Sequence, residues 1–65
     1  MSADALRESL RGVGIACEVE VRGALAVLRA DEATAAGLAR AELRERALAV
    51  AAAHGFTHAA IELRD

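Results

Sequence analysis

The stretch Cys17-Glu18-Val19-Glu20-Val21-Arg22-Gly23-Ala24-Leu25-Ala26-Val27-Leu28-Arg29-Ala30 most constrains what this chain can fold into. Two β-compatible runs flank a dipeptide that ends in glycine, the residue that supplies the positive φ of a tight turn. The pattern predicts a β-hairpin folded at Arg22-Gly23, although arginine at the first turn position leaves a longer or bulged turn open. A two-residue loop there opposes Val21 to Ala24, Val19 to Ala26 and Cys17 to Leu28. Side chains alternate along a strand. One face therefore carries Cys17, Val19, Val21, Ala24, Ala26, Leu28 and Ala30, and reads as core. The other carries Glu18, Glu20, Leu25, Val27 and Arg29. Leu25 and Val27 are out of place on a face meant for water.

The flanking segments read as cover for the apolar face. Ser2 caps a first helix, with Asp4 in its first turn and Leu6, Leu10 and Val13 at helical spacing. Gly12 and Gly14 end it. Asp31 to Leu38 reads either as a loop or as a short helix capped by Asp31 and weakened at Gly37. The main helix runs from Ala39 or Ala41 to His54, with Leu43, Ala47, Val50, Ala51 and His54 on one arc and Leu48 off it. Gly55 occupies the expected position just past the helix end, and Phe56 can pack back on the last turn. Thr57 to Arg64 alternates as a third strand, with Ala59, Ile61 and Leu63 inward and His58, Ala60, Glu62 and Arg64 outward. The expected fold is a single α+β domain: an α-β-β-α-β two-layer sandwich. Its three-stranded sheet has order 2-1-3, with two helices on one face and the other face open.

Composition decides how such a domain is held together. Eighteen of the 65 residues are alanine, with one Phe and no Trp or Tyr. An alanine-rich core buries little area at roughly 25 cal/mol per Å², so a chain this short is expected to gain support by homo-oligomerisation or by docking on a partner enzyme. The net charge of −2 argues against nucleic acid as a partner. No apolar run approaches the ~20 residues of a membrane span. The amino terminus also lacks the basic start and continuous apolar segment of a signal peptide. These features predict a soluble, cytoplasmic protein with no membrane partner.

No residue constellation amounts to a catalytic, cofactor or metal site. Cys17 is a lone thiol on the core face, and Glu18 and Glu20 beside it would raise its pKa, so a small buried hydrophobe outweighs a sulfur-handling thiol. His54 and His58 are four apart, but Gly55 breaks the helix between them. Glu18 and Glu20 share a strand face without a pocket or nucleophile, and pairing with Arg29 across the hairpin explains them better. Arg40, Arg44 and Arg46 are interleaved with Glu42 and Glu45, as on a solvated helix face. The expected interface is the open sheet face: Leu25 and Val27 with Glu18, Glu20, Arg29 and Ala60 around them.

Five short motifs fall in a familiar order: Leu10-Arg11-Gly12-Val13-Gly14-Ile15, Gly23-Ala24-Leu25-Ala26, Glu42-Leu43-Arg44-Glu45, Gly55-Phe56 and Ile61-Glu62-Leu63. In this the chain resembles the C-terminal region of the LarE-type ATP-dependent sacrificial sulfur transferases of the PP-loop group, which serve nickel-pincer cofactor synthesis. The family's Ser-Gly-Gly ATP loop does not occur here. Its basic hairpin positions hold Glu18, Glu20 and only Arg22, and its usual Arg after the Ala is Val27. The resemblance therefore implies a non-catalytic, stand-alone relative of that domain that assists a partner enzyme. The same element order also resembles the BON domains, which associate with phospholipid or other proteins, although Ala30 stands where their strand continues with glycine.

Overall fold

The computed structural model describes residues 2–64. The elements are α1 (Ala3–Gly12), β1 (Glu18–Arg22), β2 (Leu25–Ala30), α2 (Glu32–Leu38), α3 (Ala41–Ala53) and β3 (His58–Leu63). The class is α+β, with three helices and a mixed three-stranded sheet among the described residues.

Each helix has a local cause. The Ser2 hydroxyl accepts from the Ala5 amide at 3.3 Å and starts α1. The Asp31 carboxylate accepts from the Thr34 amide at 2.8 Å, which makes Asp31 to Leu38 a capped helix rather than a loop. α1 and α3 end in the same way. Gly14 and Gly55 take φ of 89° and 91°. The amides one residue later, Ile15 and Phe56, reach back to Leu10 O at 2.9 Å and Ala51 O at 3.1 Å. This is the Schellman arrangement, in which the residue after the glycine packs on the helix it has just left. Ile15 and Phe56 are accordingly buried.

The hairpin forms, but its turn sits one residue later than expected. Arg22 pairs with Leu25, so the two-residue loop is Gly23-Ala24. Gly23 has φ of 59° and Ala24 a negative φ, the combination of a type II′ turn with glycine first. Val21 therefore opposes Ala26 and Val19 opposes Leu28. Every cross-strand partner has moved by two residues, which keeps each side chain on its expected face. Ala24 is the exception: it lies in the turn and is exposed instead of in the core.

The expected strand order 2-1-3 is not the one observed. The order is β1-β2-β3, with β2 central, antiparallel to β1 and parallel to β3. Burial accounts for the preference: β2 carries Ala26, Val27, Leu28 and Ala30, all buried, whereas β1 carries two carboxylates and an arginine, and a central β2 also sets Glu62 next to Arg29. Leu6, Leu10, Ile15, Leu38, Ala47, Ala51 and Phe56 pack with Cys17, Ala26, Leu28 and Ala30 into one core. All three helices thus serve a single face of the sheet. No helix among the described residues is long and apolar enough to cross a membrane.

Candidate functional site: the open sheet face

The strand registers lay the face away from the helices out as three rows: Glu18-Arg29-Glu62, Glu20-Val27-Ala60 and Arg22-Leu25-His58. All six residues expected at an interface (Leu25, Val27, Glu18, Glu20, Arg29 and Ala60) lie together here. Their exposure differs from expectation. Val27 is only 1% exposed, although it lies outside the main core cluster, and Leu25 is half-buried. The face is not an apolar patch, because long charged side chains roof it over.

Arg29 is the centre of that roof. Its Nη2 lies 3.0 Å from Glu20 Oε1, and its Nε 3.5 Å from Glu62 Oε1. Arg22 donates from Nε to the other Glu20 oxygen. Four charged groups from three strands thus form one connected network. Glu18 turns away from it and lies 4.0 Å from Arg7 of α1 instead of pairing with Arg29. The Arg22 hydrogen bond, aided by the charges of Arg22 and Arg29, holds the Glu20 carboxyl below the usual glutamate range. The same bond raises the Arg22 guanidinium. Arg29 Nε is shielded from solvent, and its contact with Glu62 is not aligned as a hydrogen bond, which leaves a buried donor unsatisfied.

The other sequence candidates are separated from this face. Cys17 precedes β1 and sits in the core, and burial, aided by Glu18, pushes its thiol pKa up. It borders a cleft of about 180 Å³ rimmed by Arg7, Arg11, Glu18, Asp31 and Arg64, where cations and carboxylates are mixed. His54 and His58 have different partners. His54 Nε2 lies 2.8 Å from the Ser9 hydroxyl, tying α3 to α1, and His58 Nδ1 lies 3.0 Å from the Thr57 hydroxyl. No group of three potential metal ligands occurs among the described residues. Ile61 and Leu63 were expected in the core. They do lie on the helix side of the sheet, opposite Leu28 and Ala30, but are 38% and 61% exposed. Strand alternation gives their direction correctly but carries no information on how far the helices reach across β3.

Compared with models of protein families, with curated proteins and with solved structures, the chain matches none.

Proposed function

We propose that this chain is a small non-catalytic interaction module that docks through its open sheet face. The carrying observation is the Arg22–Glu20–Arg29–Glu62 network around half-buried Leu25, on a sheet face the core does not use. Side chains already held by one another lose less freedom on docking than free ones. Alternating charges discriminate between partner surfaces. The motif order shared with the C-terminal region of the LarE-type sulfur transferases supports a partner enzyme of the PP-loop group as the occupant. On the face Glu20 and Glu62 balance Arg22 and Arg29, and Glu18 lies beside Arg7, so there is no excess of positive charge to favour anionic phospholipid.

Titration against a PP-loop ATP pyrophosphatase that lacks its own C-terminal domain tests the reading. Binding by the native protein and its loss in Leu25→Glu and Arg29→Glu, both still folded, is the expected result. A native protein that neither binds such an enzyme nor self-associates in a way that Leu25→Glu abolishes overturns it.

A further inference from the structure

The outer edge of β3 joins two features that the rest of the sheet keeps apart. β3 pairs with β2 on one side and with no other strand among the described residues. The His58 and Arg64 amides point at β2, reaching Ala24 O at 3.3 Å and Ala30 O at 2.7 Å. Successive residues of a strand direct their backbone groups to opposite sides, so the N–H and C=O groups of Ala59, Ile61 and Leu63 point to the free edge. Two of these residues, Ile61 and Leu63, also carry uncovered apolar side chains. An edge with unpaired backbone and exposed aliphatic side chains is a template for another strand. β3 contains neither a proline nor a lysine to block it.

We propose that β3 is the contact between two copies of this chain. The β3 strands run antiparallel about a two-fold axis at Ala60 and form a six-stranded sheet, β1-β2-β3-β3-β2-β1. A two-fold axis normal to the sheet makes the strands antiparallel and keeps both helical layers on one side. Charge selects the register. With the axis at Ala60, His58 of each copy faces Glu62 of the other, on the open face. On the helix face Ile61 meets Ala59 of the second copy, and Leu63 meets its Thr57. An axis at Ile61 would instead set His58 against Arg64 of the second copy, and an axis at Glu62 would set the two Glu62 carboxylates against each other. A standard interface buries roughly 800 Å² per partner. One strand edge with two aliphatic side chains falls below that on a chain exposing 3985 Å², so the dimer is weak and concentration-dependent.

This contact is separate from the docking of the open face, and the two are told apart by different variants. Sedimentation velocity at tens to hundreds of micromolar should show the native protein passing from monomer to dimer. Ile61→Pro removes an outward amide at a place where an edge strand tolerates proline. His58→Glu turns the cross-copy attraction into repulsion. Both should be monomeric with unchanged circular dichroism, and His58→Arg should remain dimeric. If Ile61→Pro fails to fold, Leu63→Glu, which puts a charge on the helix side of the same edge and leaves the open face untouched, should be monomeric and decides alone. A native protein that stays monomeric throughout overturns the proposal, as does a dimer that the folded edge variants leave intact. A dimer dissociated only by Leu25→Glu belongs to the open face, which overturns the edge contact and leaves the interaction-module reading standing.

Discussion

Arg29 Nη2 lies 3.0 Å from Glu20 Oε1, and the residue opposite Glu20, Val27, is 1% exposed without belonging to the core cluster. The ion pair and the burial are one arrangement. Val27 sits at the centre of the open face, where Glu20 and Ala60 flank it and Arg29 stands two residues along the same strand. The guanidinium reaches Glu20 on one side and Glu62 on the other, so its aliphatic stem is drawn over the sheet.

Replacing Arg29 should therefore cost packing as well as charge. Exposed ion pairs are worth 0.2–1 kcal/mol each, so Arg29→Ala should lower the unfolding free energy by about 1 kcal/mol once the uncovering of Val27 is added. Arg29→Met keeps the stem and should lose less. Urea titrations at low and high salt separate the two contributions. The deficit of the Met variant should shrink at high salt, where exposed pairs are screened, while the additional loss in the Ala variant should persist.

The end of α1 offers a pair of substitutions with opposite signs. A Cβ at Gly14 would meet nothing within 4 Å, but φ is 89°, so Gly14→Ala should destabilise by about 1–2 kcal/mol through backbone strain alone. Gly12, inside the helix, also has open space around a Cβ and no positive φ. Gly12→Ala should stabilise by up to about 1 kcal/mol. Thermal midpoints report both, at about 4–8 °C per kcal/mol for a domain of this size.

Stability should fall at both ends of the pH range. Glu20 and Asp31 titrate below their ordinary range in the folded state, Glu20 through the Arg22 hydrogen bond and Asp31 through the Thr34 amide. Their contribution is complete above the unfolded-state values and is lost as pH falls through the lowered folded values. Urea midpoints should drop below about pH 4, and less so in Glu20→Gln and Asp31→Asn. Cys17 titrates above its ordinary range because it is buried. Its contribution is complete below the unfolded thiol value and is lost as pH rises through the folded one. Alkaline destabilisation should therefore be smaller in Cys17→Ala. The native thiol should also resist labelling at neutral pH until the protein unfolds; rapid native labelling would contradict the burial seen here.

Much of this fold is legible along the chain because its signals are local. Ser2 and Asp31 announce helix starts by the hydrogen bond a short polar side chain can make to the third residue on. Gly14 and Gly55 announce helix ends by the positive φ they permit. Alternation assigns nearly every strand residue to its face, and it survives the displacement of the turn to Gly23-Ala24 because the register moved by two residues. The turn lies at Gly23-Ala24 and not at Arg22-Gly23 because a type II′ turn asks a positive φ of the glycine alone, whereas the earlier placement would ask one of arginine as well.

Local signals along the chain suffice for the three strands, the first and last helices, the caps at Ser2 and Asp31, the two faces of the hairpin and a lone thiol on the core face, since each depends on residues within a few positions of one another; they leave Asp31 to Leu38 open between loop and helix. The tertiary structure chose the central strand, since docking β3 on β2 and not on β1 is settled by packing across the intervening α2 and α3. It alone decided that Val27 is roofed while Ile61 and Leu63 are bare. Coverage depends on how far a helix or an arginine stem reaches across neighbouring strands, and no local pattern encodes that distance.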